Sequence, residues 1–397
     1  MRQLSSPQLK NPENIKLVKK LQISLNLEYD KFVHIKIKDA ENKRWEVPEN
    51  EVLDKDYLLN RNDNSVEFSK YSKSLDSQFF YIEVITNETN NTSFNNNNNN
   101  NETEEENDND KEKEDFEEEE EFDEERGNYG ENGKKYNVEN FTFRLMTQEN
   151  EEFFYFSTLD NFIFSDTYIN FESKLTSDKI YGFGERTHDF ALNEGIYTIW
   201  PFDCGQTKYD DGKGGMNQYS HQPIGLHKTK YDNLWLGFVF LNTNFQDVKI
   251  HSENDNTFLT HKTIGGIIDY YIIVNDSPEE VIKNIQTLLG IPPLPPFWAF
   301  GNHQSRYGYN NGQEFIEVYE KYKKNEIPID SMWLDIEALD NFEMFTLNRK
   351  FKTISNYVKN NIHNDGGKFI PIVDIGFSAN KNNKYYKLGN KLNIFIK

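Results

Sequence analysis

The sequence is poor in the features that mark several common classes of protein. Cys204 is the only cysteine among 397 residues, so no disulfide can form within the chain. No run of about 18 apolar residues occurs, and such a run is what a membrane-spanning helix needs. The first 20 residues are polar and contain no apolar segment of the kind found in signal peptides. From these absences we expect neither a disulfide scaffold nor a membrane span, and no signal peptide is visible.

Positive charge is also scarce. The chain has 44 Lys and Arg residues against 66 Asp and Glu residues, which gives a formal net charge of −22. Residues 102–126 alone hold 17 acidic and three basic residues, so their net charge of −14 leaves −8 for the rest of the chain. Because no basic stripe remains to attract phosphate groups, the sequence excludes nucleic acid as a partner.

A low-complexity segment interrupts the first half of the chain. A block of asparagines at residues 95–101 runs directly into the acidic block. A segment of this composition cannot bury enough apolar surface to fold, so we predict a disordered insert at residues 87–135. We interpret it as a solvated loop inside a β-domain rather than a binding tail, because lengthening a loop costs little free energy.

The rest of the first 290 residues has the pattern of β-strands. Residues 21–27 and 33–37 alternate apolar and polar side chains, which predicts strands with one buried and one wet face. Further short aromatic or apolar runs, separated by Asn, Asp and Gly, continue the pattern at residues 79–85, 141–145, 153–156, 162–164, 235–241 and 267–274. We therefore predict an all-β sandwich domain over residues 1–290.

A change of pattern follows at the prolines of residues 292–296. Just before them, Ser277 and Pro278 predict the start of a helix over residues 280–289. Beyond them, strands and helices alternate, which predicts parallel strands joined by helical crossovers over residues 291–397. The predicted strands are residues 297–301, 331–334 and 369–373, and the predicted helices are residues 313–324 and 351–362.

Polar residues follow each of these predicted strands. Asn302 to Arg306 follow the first strand, Asp335 and Glu337 the second, and Asp374 the third. Polar groups collected at the carboxyl ends of parallel strands are typical of the active face of a (β/α)8 barrel. A Mg²⁺ or Ca²⁺ site built from Asp335, Glu337 and Asp340 is an alternative, although no EF-hand spacing or companion motif accompanies it.

Several motifs in the same order resemble glycoside hydrolase family 31, the retaining α-glucosidases. In the second half, the resemblance rests on residues 292–307, 333–337 and 369–376. In the first half, it rests on residues 37–39, 44–48, 181–186, 198–203 and 235–244. The resemblance implies a mixed fold, in which a galactose-mutarotase-like β-sandwich is followed by the first three units of an incomplete (β/α)8 barrel.

The resemblance also implies a substrate site that needs no metal or other cofactor. Asp335 would bind hydroxyl groups of a terminal α-linked glucose, with Ile336, Tyr307 and Ile372 lining the pocket. Asp203 would add a second carboxylate from the sandwich. A set of four further residues is expected to support the pocket: Glu337, His303, Arg306 and Asp374.

The catalytic carboxyl pair is the part of the family pattern that we do not find. A retaining glycosidase uses a nucleophile and an acid/base about 5–5.5 Å apart, and the resemblance places both after later strands. We therefore expect them beyond Lys397, and expect this chain to be an inactive front part of an α-glucosidase. A non-catalytic carbohydrate-binding protein is the alternative. The family suggests the endoplasmic reticulum, the lysosome or secretion.

Overall fold

The computed structural model describes residues 17–61, 64–65, 71–74, 80–88, 138–201, 215–374 and 376–396. The chain divides into two compact units, Met1–Ile291 and Pro292–Lys397. We call them the sheet unit and the barrel unit. Nineteen strands and six α-helices occur in the described residues.

Most of the strands lie in the sheet unit. They are β1 (Leu21–Glu28), β2 (Phe32–Asp39), β3 (Asn64–Ser65), β4 (Tyr71–Ser74), β5 (Tyr81–Glu88), β6 (Val138–Met146), β7 (Glu152–Ser157), β8 (Ile163–Phe164), β9 (Ile169–Leu175), β10 (Ile180–Gly182), β11 (Gly195–Ile199), β12 (Ile224–Lys228), β13 (Trp235–Phe240), β14 (Gln246–Glu253), β15 (Asn256–Thr263) and β16 (Ile268–Asn275). Its helices are α1 (Glu49–Val52), α2 (Lys55–Asn60) and α3 (Pro278–Leu289).

These strands form two antiparallel sheets. One sheet has the order β10-β12-β13-β16-β2-β1-β3, and the other has the order β11-β14-β15-β9-β7-β6-β5-β4, with β8 beside β9. Side chains from both sheets share one hydrophobic core. Phe171 of the second sheet packs edge-on against Phe240 of the first, with ring centroids 5.3 Å apart. The alternation in the sequence thus produces two sheets that bury their apolar faces against each other.

Strand β16 departs from simple alternation because both of its faces are covered. Every residue of Ile268–Asn275 is buried. One face contributes to the core between the sheets, whereas Tyr271 and Ile273 pack in a second cluster with Tyr57 of α2 and Val281 of α3. Helix α3 has the predicted start signal, since Ser277 Oγ accepts a hydrogen bond from Glu280 N and Pro278 occupies the first turn, but it begins at Pro278, two residues before the predicted residue 280.

A buried ionic network lies on this helix-covered face. His34 lies between two carboxylates, 3.1 Å from Glu28 Oε1 and 2.8 Å from Asp269 Oδ1. Lys36 Nζ lies 3.2 Å from the other oxygen of Asp269, and the Tyr57 hydroxyl donates to Glu28. These contacts connect β1, β2, β16 and α2 through charged groups, each of which has an opposite charge or a hydrogen bond, as buried charges require.

The predicted insert connects two neighbouring strands. Strands β5 and β6 are antiparallel partners, and Glu88 at the end of β5 pairs with Val138 at the start of β6. Residues 87 and 88, which we placed in the insert, therefore belong to β5, and that part of the prediction is wrong. Residues 89–135 of the predicted insert lie outside the described residues.

The barrel unit contains a parallel three-stranded sheet. Its order is β17 (His303–Gln304), β18 (Ser331–Leu334) and β19 (Lys368–Pro371), and both pairings are parallel. Its helices are α4 (Gly312–Lys324), α5 (Ile354–Tyr357) and α6 (Lys384–Leu392). The parallel order and the position of β18 confirm the predicted alternation of strand and helix.

Two element predictions in the barrel unit are wrong in detail. Residues 297–301 are not a strand, because Phe297–Phe300 forms a 3₁₀ turn in which Ala299 N and Gly301 N donate to Pro296 O and Trp298 O. These hydrogen bonds are local, so no ladder forms. Residues 351–362 are not one α-helix either, because α5 is short and continues as a π-helical turn over Val358–Ile362.

The predicted apolar face of that second segment is nevertheless buried. The side chains of Phe351, Ile354, Val358 and Ile362 all belong to the core of the barrel unit. The same core contains Met332 and Leu334 of β18 and residues of α4. A mixed, sheet-rich fold is thus confirmed, whereas the galactose-mutarotase-like sandwich and the (β/α)8 barrel stay predictions.

Candidate functional site

Strand β18 determines where the candidate site lies. Its side chains alternate, so Met332 and Leu334 enter the core beneath the helices while Ser331 and Trp333 lie on the opposite face. The strand ends at Leu334, and Asp335 comes directly after it. The first carboxylate of the motif is thus at the carboxyl end of the central strand of a parallel sheet.

Asp335 is half-buried and caps a short turn. Its Oδ1 accepts a hydrogen bond of 2.7 Å from Ile336 N at the start of the 3₁₀ turn Ile336–Ala338. Its Oδ2 has no hydrogen-bond partner among the residues that the structure describes. The cap fixes the carboxylate in place, and the second oxygen can accept a hydrogen bond from a ligand.

Asp335 and Ile372 line a cleft of about 270 Å³. The two residues are brought together by the sheet, because Ile372 N donates to Leu334 O at 2.9 Å just beyond β19. The other lining residues are mostly apolar: Leu334, Ala338, Leu339, Thr346, Leu347, Ile354, Ser355, Val358, Phe369 and Pro371. A single carboxylate beside an apolar wall is a common arrangement in small-molecule sites.

The remaining predicted pocket residues are not part of this cleft. Ile336 is half-buried within the 3₁₀ turn, with its backbone N–H bonded to Asp335. Tyr307 lies after β17 with 66% of its surface exposed, and it does not line the cleft. Asp203 lies outside the described residues. The structure therefore joins Asp335 with Ile372 and leaves the placement of Tyr307 and Asp203 as predictions.

Glu337 connects the turn after β18 to the loop after β17. Its Oε1 accepts a hydrogen bond of 3.1 Å from Tyr309 N. Its Oε2 is inaccessible to solvent and has no hydrogen-bond partner in the described part of the chain. Because Tyr307 is two residues before Tyr309, the Glu337 carboxylate helps to hold the loop that carries Tyr307.

His303 belongs to a polar cluster on the face opposite the helices. Its Nδ1 lies 2.5 Å from Ser331 Oγ and 3.1 Å from Trp333 Nε1. The Trp333 indole N–H also lies 2.8 Å from Ser331 Oγ, so it can donate to either Ser331 or His303. The Nε2 of His303 is buried and has no hydrogen-bond partner among the described residues.

Arg306 and Asp374 do not occupy positions from which they would line the Asp335 cleft directly. Arg306 Nη1 lies 3.0 Å from Glu314 Oε1, and its guanidinium lies over the Tyr309 ring at 5.5 Å. Asp374 is exposed, and its backbone N–H points to Met344 Sδ at 3.2 Å. No hydrogen bond joins Asp374 to Asp335 in the described residues, so the support that Asp374 is expected to give the pocket stays a prediction.

The described residues provide neither a metal cluster nor a membrane-spanning helix. In the described ranges, no three His, Cys, Asp or Glu side chains are grouped so that they could hold a metal ion. Asp335, Glu337 and Asp340 therefore do not form the alternative Mg²⁺ or Ca²⁺ cluster. The described helices also include none that is both long enough and apolar enough to cross a membrane.

Sequence patterns missed the partners that hold these residues. The sequence predicts a strand that contains Ser331 and Trp333, but it does not predict that both contact His303. Tyr309, whose N–H binds Glu337, was not singled out at all. Ser331 and Trp333 are two residues apart on β18, and this spacing alone indicates that they share a face. No local pattern predicts the contact between Glu337 and Tyr309.

Comparisons with known proteins agree with the geometry. A family model described as "Glycosyl hydrolases family 31 TIM-barrel domain" matches residues 292–397, which is the barrel unit. Sucrase-isomaltase of the rabbit, Oryctolagus cuniculus, is 27% identical over 262 residues, covering 64% of this chain and 14% of that protein. A probable alpha-glucosidase of Oryza sativa subsp. japonica is 32% identical over 254 residues, covering 61% of this chain and 28% of that protein.

A solved structure extends the likeness to both units. The structure of a GH31 dextranase of Flavobacterium johnsoniae, complexed with glucose, matches 96% of this chain and 40% of that one with a TM-score of 0.65. At 19% identity, this match shows a shared fold. The chain spans less than a third of the length of the two relatives named above. The family model and the relatives thus make this chain similar to members of glycoside hydrolase family 31, with the family-model match confined to residues 292–397.

Proposed function

We propose that the barrel unit binds the terminal glucose of an α-glucoside at the Asp335 cleft, as part of a glycosidase of the retaining α-glucosidase type. The observation that carries this proposal is the capped Asp335 carboxylate, which shares a cleft with Ile372 at the carboxyl ends of β18 and β19. These residues lie in the segment that matches the family model. Relatives named sucrase-isomaltase and alpha-glucosidase support the substrate class.

The chemistry of the cleft suits a sugar. A pyranose ring offers hydroxyl donors around its edge and C–H groups on its faces. The open oxygen of Asp335 accepts from one hydroxyl, while the apolar side chain of Ile372 covers part of a face. In this proposal Ile336, Tyr307 and Asp203 complete the pocket, with Glu337 holding the loop that carries Tyr307.

We also propose that the 397-residue chain binds this ligand without hydrolysing it. Double displacement needs a nucleophile and an acid/base on opposite sides of the scissile bond. Asp335 and Glu337 do not suit these roles, because both come from one short segment and each already accepts a backbone hydrogen bond. We therefore assign neither the nucleophile nor the acid/base to Asp335 or Glu337.

The second candidate is a non-catalytic carbohydrate-binding protein derived from such an enzyme. The same observation favours it, since a binding carboxylate occurs without an identified catalytic pair. The two candidates differ in whether the protein contains a nucleophile and an acid/base. Reading the coding DNA that follows Lys397 discriminates between them, because further barrel strands followed by a catalytic carboxyl pair would mark an enzyme.

Calorimetric titration of the purified chain with maltose, acarbose and cellobiose tests the proposal. Binding of maltose and acarbose without binding of cellobiose is expected, because the pocket is proposed for α-linked glucose. A parallel assay with p-nitrophenyl α-glucoside should show no release of nitrophenol. Equal binding of cellobiose would contradict the substrate class, and hydrolysis would contradict the proposed lack of activity.

A further inference from the structure

A groove of about 630 Å³ lies in the sheet unit, on the outer face of the sheet that contains β9 and β15. Eight residues line it: Arg144, Tyr155, Leu159, Asp160, Asn161, Glu172, Lys174 and Phe258. None of them belongs to the Asp335 cleft or to the motifs that identified the family. We call this feature the sheet groove, and we propose that it is a binding site for a neutral oligosaccharide.

The floor of the sheet groove is a row of cross-strand neighbours. Arg144 on β6 pairs with Tyr155 on β7, Tyr155 pairs with Lys174 on β9, and Lys174 pairs with Phe258 on β15. Directly paired residues of one face lie side by side. The Tyr155 ring lies within 5.6 Å of the Arg144 guanidinium and 5.0 Å of Lys174 Nζ. Phe258 lies two strands away, roughly 10 Å, which is longer than one sugar ring.

One wall of the groove is a short loop that is fixed by hydrogen bonds. The loop between β7 and β8 holds Asp160, whose Oδ2 accepts a hydrogen bond of 2.5 Å from the Tyr155 hydroxyl. Asn161 Nδ2 donates to Glu172 Oε2 at 2.9 Å, and Asn170 Nδ2 donates back to Asn161. Because these bonds exist without a ligand, the wall is already in place and binding need not order it.

Two carboxylate oxygens remain open to a ligand. Glu172 Oε2 takes the hydrogen bonds from Asn161 and from Thr260 Oγ1, and Asp160 Oδ2 takes the one from Tyr155. The other oxygen of each carboxylate has no hydrogen-bond partner among the described residues. Both residues line the groove, so they can accept hydroxyl hydrogens while Phe258 offers an apolar ring face.

The balance of charge favours an uncharged ligand. The lining holds two cations, Arg144 and Lys174, and two anions, Asp160 and Glu172. Glu152 pairs with both cations, 3.3 Å from Arg144 Nε and 2.6 Å from Lys174 Nζ. An anionic ligand would have to compete with Glu152, whereas a sugar needs only the donors, acceptors and ring face that are present.

Electrophoresis of the full chain in native gels tests this site, with soluble starch in the gel as the probe and plain gels as the reference. Retardation by starch is expected. The variant Phe258→Ala should raise the dissociation constant about tenfold, and Glu172→Gln by a similar factor, the usual effect of one lost ligand contact. The matched control Glu253→Gln changes an exposed acid on β14 outside the groove and should leave retardation unchanged.

The variant Asp160→Ala separates loss of binding from loss of folding, because Asp160 is exposed. Its circular dichroism spectrum should match that of the unaltered chain, while its retardation by starch should be lost. The variant Asp335→Ala separates the two sites. Retention of starch binding by Asp335→Ala supports the sheet groove, and loss of binding in this variant alone overturns it. Absence of retardation in the unaltered chain, or retardation only in gels with dextran sulfate, also overturns the proposal.

Discussion

His34 is a charged side chain in the interior of the sheet unit. Burial alone lowers its pKa, but the carboxylates of Asp269 and Glu28 outweigh this effect and raise the pKa of His34 to about 9. The ring is therefore protonated at neutral pH, and it also stacks on Tyr271 with centroids 3.9 Å apart. His34 therefore stabilises the fold only while its protonated ring stays paired with the carboxylates of Asp269 and Glu28.

Replacing this histidine should be strongly destabilising. The variant His34→Gln removes the positive charge and leaves Glu28 and Asp269 buried with less compensation, which should lower the free energy of unfolding by about 3 kcal/mol. Urea unfolding followed by circular dichroism measures this loss. The exposed His363→Gln control should change stability by less than about 0.5 kcal/mol, and an equal effect of both variants would contradict the role of the network.

Buried histidines also predict how stability depends on pH. The raised pKa of His34 means that its contribution is present below pH 6.5 and is lost as pH rises through about 9. Burial lowers the pKa values of His227 and His261 to about 3. Their neutral forms favour folding above pH 6.5, and this advantage is lost as pH falls towards 3.

The thermal midpoint should therefore be highest near pH 6.5, because the His34 contribution is lost as pH rises towards about 9 and the contributions of His227 and His261 are lost as pH falls towards 3. Calorimetric scans from pH 5 to 10 measure it. The variant His261→Phe places a ring among Phe171, Phe240 and Tyr270 and should flatten the acidic side of the profile. A midpoint that keeps rising as pH falls from 6.5 to 5 would contradict the assignment.

Single residues were predicted from the sequence when chemistry set them apart locally. Asp335 was predicted because a carboxylate at the end of an apolar strand is unusual, and it lines a cleft. The buried partners of His34 could not be predicted, because Asp269 is far along the chain and the two meet only through the pairing of β16 with β2. Long-range pairing is not encoded in any short window of sequence.

At the scale of elements, the turn after β18 and the loop after β17 depend on one contact. Glu337 Oε1 accepts from Tyr309 N. The variant Glu337→Ala removes the acceptor and should increase hydrogen–deuterium exchange at the Tyr309 amide. The variant Glu337→Gln keeps an acceptor oxygen and is the matched control. Equal exchange in the two variants would show that this contact does not hold the loop.

The insert between β5 and β6 is the second feature at the scale of elements. Because Glu88 and Val138 are paired neighbours, a two-residue Asn-Gly turn can replace residues 89–137 and close the hairpin. Shortening the loop should leave the protein as stable as before or about 2 kcal/mol more stable, given the logarithmic dependence of closure entropy on length. Thermal melting measures this change, and a large loss of stability would show that the insert contributes to the fold.

Elements were predicted well where periodicity and end signals agreed. Helix α3 has its predicted cap, and β18 has its predicted bounds. Residues 297–301 were predicted wrongly because an aromatic run has the composition of a strand, whereas local hydrogen bonds close a turn there and leave Phe297 92% exposed. Composition does not distinguish these outcomes when no partner strand is specified.

At the scale of the whole molecule, the two units differ in how far their apolar faces and their sheet edges are covered. The sheet unit has a core shared by two large sheets. In the barrel unit, β17 and β19 each pair only with β18 among the described strands, so both edges of this sheet carry unpaired backbone groups. The units should therefore behave differently when they are made separately.

Expression of residues 1–291 and of residues 292–397 as separate chains checks this expectation. The first should be monomeric and unfold cooperatively, because its core is complete. The second should aggregate through its open sheet edges. Size-exclusion chromatography distinguishes these outcomes, and a soluble, monomeric barrel unit would contradict the expected effect of the open edges.

The central claim is that an α-glucoside binds at the Asp335 cleft, and saturation-transfer NMR with methyl α-glucoside tests it most directly. The unaltered chain should transfer magnetisation to the glucose ring protons. The variant Asp335→Asn should lose the effect, because it replaces the carboxylate, whereas the exposed Asp340→Asn control should retain it. Transfer that persists in Asp335→Asn, or that is absent from the unaltered chain, would contradict the claim.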